Sequence, residues 1–248
     1  EFDIDVIAKP DFVEVTLPAG ATRTVSMRVQ NRDTVTVEAR ATVADVVQES
    51  SGFLTYADIV DTTSLWVKVS PQRWTLAPHS TKSLLLDITA PDAGVDTTTQ
   101  CAVRILATGG IDEADWLSEA DIGIPVIAVA PGAPPPELLI SKLDVIRPSP
   151  DRNPTAVLLA VKNSGGHTAK FGGRLVLERA SNAERIQTMN ISHAQGLILP
   201  PGVEREFRFP LTYLDKDKFR LSAEVSVQGD NRSAKRAAVS FVCTQGPG

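Results

Sequence analysis

The sequence predicts an all-β chain folded as two sandwiches in tandem, and three observations carry that expectation. Apolar and polar residues alternate with period 2 in segment after segment, the signature of half-buried strands. Clusters of Gly, Pro, Asn and Asp punctuate those segments at short intervals. Near the middle, Val129-Ala-Pro-Gly-Ala-Pro-Pro-Pro-Glu-Leu138 stops the pattern, which restarts beyond it. Proline fixes φ and lacks an N–H, so this stretch reads as a semi-rigid spacer. The 248 residues, 42% of them apolar, suffice for two cores of ordinary size. The expected division is therefore 1–130, a linker at 131–137, and 138–248.

In the first half, Thr22 to Asn31 sets Val25, Met27 and Val29 against Ser26, Arg28 and Gln30, so one face is core and the other water. After the turn Asn31-Arg32-Asp33, the alternation resumes through Val35, Val37, Ala39, Ala41 and Val43, which makes a hairpin. Phe2 to Ile7 and Phe12 to Leu17 read as two short strands broken at Pro10. Residues 48–62 lose periodicity and read as a long loop. Strands follow at Leu65 to Val69, around Trp74, from Ser83 to Thr89, from Cys101 to Ala107, and from Ile122 to Ala130. The only helical candidate is Asp112 to Glu119. Short strands with turns between them and no long helix are the pattern of an immunoglobulin-like sandwich.

The second half repeats the plan without repeating residue identities. Leu139 to Ile146, Ala156 to Lys162 and Arg174 to Glu178 are strands separated by Pro148-Ser-Pro150 and Asn163-Ser-Gly-Gly166. A less regular stretch runs through Met189. Leu199-Pro-Pro-Gly202 then leads into the strand of Phe207 and Phe209. Phe219, Leu221, Ala223, Val225 and Val227 give the cleanest alternation in the chain, and Ala237 to Cys243 finishes it. The fold class is thus two tandem immunoglobulin-like β-sandwiches joined by a Pro-rich linker.

These turn and strand-end residues carry a resemblance. Leu17-Pro-Ala-Gly20, Val29-Gln-Asn31, Trp66 with Val69-Ser-Pro71, Leu76-Ala-Pro78, Asp87-Ile-Thr-Ala-Pro91 and Ile124-Pro-Val-Ile-Ala-Val129 resemble the first domain of exported bacterial proteins of the pilus-chaperone-like immunoglobulin superfamily. The likeness is strongest to the cell-wall proteins that accompany WxL-domain proteins. Val161-Lys-Asn-Ser-Gly165 and Ile198-Leu-Pro-Pro-Gly202 are similar to the second domain of such proteins. The resemblance implies an exported, non-enzymatic component of the periplasm or cell surface that binds envelope polymer or other surface proteins. The alternative it implies is a periplasmic assembly chaperone for pili or fimbriae, working by β-strand addition. For that alternative the candidate edge is Ile122, Ile124, Val126 and Ala128, and Ile124→Asp is expected to abolish capture without unfolding the domain; if the strand is instead the protected interior of the sheet, the same change unfolds the domain and this alternative loses its motivation. Pro125 and the lack of Lys or Arg between Ile122 and Ala130 depart from the chaperone pattern.

Other chemistry is sparse. No G-x-S-x-G, phosphate-cradling glycine loop or H-E-x-x-H occurs, so no enzyme is expected, and no cofactor or nucleic acid is implied. His79, His167 and His193 lie far apart in turn-like segments, outside zinc spacing. Asp112, Glu113, Asp115, Glu119 and Asp121 match no calcium loop and read as a solvated cluster. Cys101 and Cys243 fall on inward strand positions and read as two buried thiols, whereas Trp66 falls on an outward one. Asn190-Ile-Ser192 and Asn231-Arg-Ser233 fit the glycosylation sequon. No run reaches the roughly 18 apolar residues of a membrane span. The start at Glu1-Phe2 is expected to follow a removed export signal or an artificial boundary.

The charge of −5 is unevenly placed: residues 1–130 carry 9 basic and 19 acidic side chains, net −10, and residues 131–248 carry 16 and 11, net +5. A basic second module favours contact with an anionic envelope polymer, or with the acidic module of a neighbouring copy head to tail. Arg208, Lys216, Lys218, Arg220, Arg232, Lys235 and Arg236 are the residues expected to make it.

Overall fold

The computed structural model describes residues 4–48, 54–57, 66–92, 100–110, 117–149, 152–191, 197–212, 214–230 and 234–244. Outside residues 48–53, the chain divides into two compact units, the first running as far as Gly132 and the second beginning at Ala133. Among the described residues there is no α-helix, and both units are layered β-structures.

In the first unit, β1 (Val6–Lys9), β3 (Thr22–Asn31), β8 (Thr81–Thr89) and β6 (Val67–Ser70) form one sheet in the order β1-β3-β8-β6. The other sheet runs β2 (Val13–Thr16), β10 (Leu117–Val129), β9 (Gln100–Gly110), β4 (Val37–Gln48), β5 (Leu54–Ala57), with β7 (Arg73–Leu76) also paired to β4. Period-2 patterning puts Met27, Val29, Leu84, Leu86 and Ile88 of one sheet, and Val37, Val103, Ile105 and Val126 of the other, in a common core without solvent exposure. Burying each such aliphatic side chain contributes about 1.5–3 kcal/mol, enough in sum to order the chain.

Three expectations need correction here. Leu54–Ala57 is a strand, not part of a long loop, because four residues hold too little alternation to stand out. Leu117 to Glu119 begins β10 and is not helical; the rest of that helical candidate lies outside the described residues. Trp66 is buried, 6% exposed, because β6 starts one residue later and leaves Trp66 outside the strand's alternation, turned into the core.

The second unit holds β11 (Leu138–Ile146), β12 (Ala156–Asn163) and β16 (Glu204–Pro210) in a three-stranded sheet. Facing it are β14 (Arg185–Ile191), β13 (Ala169–Arg179), β17 (Lys218–Val227) and β18 (Lys235–Val242) in that order, with β15 (Leu197–Leu199) also on β13. Val157, Leu159 and Val161 meet Leu175, Leu177, Phe219, Leu221 and Val225 in its core. The irregular stretch before Met189 contains β14. A register shift opposite Leu177/Glu178 leaves Ile186 as an extra residue, so its apolar positions 186, 189 and 191 miss period 2.

Each unit is pinned by one buried asparagine at the end of its second core strand. Asn31 Nδ2 donates to the carbonyls of Val35 (2.7 Å), Leu76 (3.3 Å) and Ala77 (3.2 Å), and its Oδ1 accepts from Asp33 N–H. Asn163 Nδ2 donates to His167 and Leu199 carbonyls, both at 2.8 Å, and its Oδ1 accepts from Gly165 and Glu137 N–H. In both, residues two and four positions on and a distant Leu-x-Pro turn share the side chain, which satisfies otherwise orphaned backbone groups.

The proline-rich stretch is fastened to the second unit. Ser164 N–H donates to Glu137 O (2.8 Å) and Gly166 N–H to Pro134 O (3.0 Å). A Cβ on Gly165 would stand 2.2 Å from Pro135 O, so only glycine admits this approach.

Candidate functional site

The first unit's functional interest lies along β10. On one side it pairs with β9 antiparallel from Leu117↔Gly110 to Ile127↔Gln100 without a break. On the other it pairs with β2, parallel, only from Val126↔Val13 to Val129↔Thr16. Among the described residues, no strand covers that outer side before Val126. An unpaired row of backbone groups is a template for another strand.

Which residues face outward follows from one hydrogen bond. Leu17 N–H donates to Val129 O at 3.0 Å, so Val129 directs its backbone polar groups toward the outer edge. Alternation carries this back to Ile127, Pro125, Gly123, Asp121, Glu119 and Leu117, while Ile124, Ile122 and Ala120 bond toward β9. The Ala41 N–H bond to Gln72 O (2.8 Å) fixes the same parity two strands away, by turning the odd residues of β4 from β9. Pro125 therefore costs no bond to β9. Its missing donor falls on the outer edge, where coverage by β2 begins, and from Leu117 to Gly123 no strand among the described residues covers that edge.

Side chains divide along the same strand. Val126 and Ala128 are buried within the stretch that β2 covers, and Ile124 is 3% exposed. Ile122 and Ala120 are half-buried at the rim of the core, beside the open edge. Of the four residues expected to form the edge, only Ile122 is both apolar and accessible there. The expectation that Ile124→Asp leaves the domain folded is corrected, since that carboxylate would enter the core. Glu119 and Asp121 point outward on the solvent face, where Arg104 grips Asp121 through Nε (3.0 Å) and Nη2 (2.7 Å).

The basic residues expected to act together stand on different surfaces. Arg208 is on the outer face of the three-stranded sheet, while Lys218, Arg220 and Arg236 project from the opposite sheet. Lys235 pairs with Glu137 at 3.2 Å, Lys216 is exposed in the turn before β17, and Arg232 lies outside the described residues. Arg174 and Arg185 share the face of Arg220 and Arg236. They escape sequence reading because the extra residue at Ile186 breaks the alternation of β14 and because the pairing of β13 with β17 is non-local.

Cys101 is fully buried, and burial first, then nearby Asp45, pushes its thiol up to about 12. Burial also raises Cys243, chiefly by desolvation. Both are free and unreactive as thiolates at neutral pH. His79 and His167 lie in turns, while His193 and Asp112, Glu113 and Asp115 lie outside the described residues. No group of three or more metal-ligating side chains occurs among the described residues.

No protein-family model matches the chain, and no curated protein matches it. Among solved structures, the YadV chaperone is similar over 96% of this chain and 100% of its own, with 11% identity and a TM-score of 0.51. The CupB2 chaperone of Pseudomonas aeruginosa aligns over 95% and 100%, with 14% identity and a TM-score of 0.43. A chaperone–tip adhesin complex of CFA/I fimbriae biogenesis aligns over 94% and 98%, with 12% identity and a TM-score of 0.43. The likeness to the YadV chaperone is one of fold, and it agrees with the all-β, two-sandwich class expected from the sequence.

Proposed function

We propose that this chain is an exported, non-enzymatic binding protein that works by β-strand addition at the outer edge of β10, as a periplasmic assembly chaperone does. The observation that carries the reading is the half-covered edge: β2 occupies it from Val126 onward, and no described strand occupies it from Leu117 to Gly123. The fold shared with the YadV chaperone supports it. The sequence favours an envelope-binding module on two grounds: Pro125 interrupts the strand's donors, and no Lys or Arg occurs between Ile122 and Ala130. With the proline's empty position on the outer edge and the β9 ladder intact, the first ground falls away, while the second stands.

The mechanism uses main-chain bonds for affinity and alternate side chains for specificity. A partner strand laid beside Leu117–Gly123 bonds to the outward N–H and C=O groups of Glu119, Asp121 and Gly123. Each such bond contributes about 0.5–1.5 kcal/mol net. The partner's inward side chains meet Ala120 and Ile122 at the rim of the core. A suitable partner is a pilus or surface protein with an incomplete sandwich, exported to the same compartment.

The test is fluorescence anisotropy with an 11-residue labelled peptide of alternating apolar and polar residues, beside the same peptide N-methylated along one edge. The unmodified peptide is expected to bind. N-methylation is expected to weaken it by about tenfold or more, as loss of one or two such bonds requires, and Ile122→Asp is expected to weaken it too, by setting a carboxylate where the partner's inward side chains meet the rim of the core. Equal binding of both peptides would remove main-chain pairing from the mechanism.

A further inference from the structure

We propose that the outer face of the second unit's larger sheet carries a trough for a linear polyanion, an extended chain bearing phosphate or carboxylate groups. It belongs to the second unit, whereas the β10 edge belongs to the first, and it does not depend on strand addition.

The trough follows from strand register. Outward residues stand in rows across the sheet: Arg174, Glu224 and Arg236 form one, and Arg185, Glu178 and Arg220 form another. Between them runs a row of short side chains, including Val176, Ser222 and Ala238. Alternate residues on a strand are about 6.8 Å apart, so the charged rows lie about 13–14 Å from each other at the backbone. Long arginine side chains on both flanks and a low floor open a depression of about 450 Å³. It crosses four strands, a length of about 14 Å at the usual spacing. That is a slot for a chain of small repeats, too narrow to seat a folded surface.

Charge selects the occupant. Four guanidinium groups line the slot against two carboxylates. Glu224 is shared between Arg174 and Arg236 at 3.4 Å each. Arg236 foremost, with Arg174, holds the Glu224 carboxyl below its usual range. One long contact leaves most of each guanidinium's five N–H donors for a ligand. Among the described residues no ion pair engages Arg185 or Arg220. Guanidinium forks match phosphate and carboxylate oxygens two at a time. The first unit supplies the contrast: a depression of about 440 Å³ on its sheet is lined by Arg40 and Arg73 against Glu38 and Glu119, a balanced set. Equal concavity without excess charge gives no reason to take an anion.

The whole chain is titrated calorimetrically with inorganic tripolyphosphate, with a galacturonate trimer, and with maltotriose as the neutral control. At least one anion is expected to bind, and maltotriose not. Binding of only one anion assigns the natural polymer's charge to phosphate or to carboxylate. Affinity should fall about tenfold or more between about 20 and 300 mM salt, since exposed charges are screened over a shrinking distance. Arg185→Ala/Arg220→Ala should weaken binding about tenfold. Ser222→Trp fills the floor without changing a charge and should weaken it as much, whereas Arg40→Ala/Arg73→Ala should leave it unchanged. The proposal is overturned if no anion binds, if maltotriose binds equally, or if neither the arginine pair nor Ser222→Trp alters affinity in variants that melt like the parent. It is equally overturned if sedimentation shows that the arginine pair instead holds two copies of the chain together, which would assign this face to the acidic unit of a neighbour.

Discussion

Replacing Asn163 by alanine removes one buried side chain and strands several backbone groups at once, so its cost can be worked out from the bonds. The carbonyl of Leu199 lies in the buried interior at 2.8 Å from Nδ2, and its loss carries the full penalty of an unsatisfied group, about 1–3 kcal/mol. The His167 carbonyl and the N–H groups of Gly165 and Glu137 are part-buried, and each loses about 0.5–1.5 kcal/mol. A total of about 5 kcal/mol is a large share of the roughly 5–15 kcal/mol that holds a domain together. Asn31→Ala should cost a similar amount in the first unit, where its side chain serves three carbonyls and Asp33 N–H. The tryptophans separate the two cases, because Trp66, Trp74 and Trp116 all precede Gly132. In urea unfolding of the full chain, Asn31→Ala should shift the tryptophan fluorescence transition. Asn163→Ala should shift a circular-dichroism transition and leave the fluorescence one in place. A cost below about 1 kcal/mol for both variants would refute the reasoning, since fewer than one orphaned group would then be felt.

Gly165→Ala should destabilise the second unit by about 1–3 kcal/mol, because its Cβ meets Pro135 O at 2.2 Å and must displace the proline segment; urea unfolding measures it. His79 has φ 54° where the matching turn of the second unit has Gly202 at 75°, so His79→Gly should stabilise the first unit by about 1 kcal/mol in the same assay. The Arg179 guanidinium, 2.6 Å from Asp217, and then the Lys218 N–H hold the Asp217 carboxyl below its ordinary value of 3.8. A depressed carboxylate stabilises the fold above its unfolded pKa and loses that contribution as pH falls through the folded one. Asp217→Asn should therefore flatten the loss of stability below about pH 4 in acid titrations followed by circular dichroism.

What could be read from the sequence depended on how local its cause was. Strands with a buried face announced themselves, as Phe219 to Val227 shows, because alternation is written in neighbouring residues. β14 did not, since the extra residue at Ile186 breaks the period and its partner lies on another strand. Asn31 and Asn163 looked like turn signals. That each is buried and ties a distant Leu-x-Pro turn depends on contacts dozens of residues away. The apolar face of β10 was legible, but its open length was not, because β2 joins it in parallel from the far end of the unit. Alternation puts Arg208 and Arg220 on outward faces, and both are exposed on their strands. Which sheet each outward residue belongs to is not written in alternation, so the sequence sets Arg208 beside Arg220 and does not mark Arg174 or Arg185.

The central claim, that β10 offers an uncovered outer edge from Leu117 to Gly123, is tested most directly by residue-resolved amide hydrogen exchange on the free chain. Glu119, Asp121 and Gly123 should exchange fast while Ala120, Ile122 and Ile124, bonded toward β9, exchange slowly, and added partner strand should slow the fast set. Uniform protection along Glu119 to Ile124 in the free chain would mean that the edge is already occupied, and would contradict the proposed strand addition.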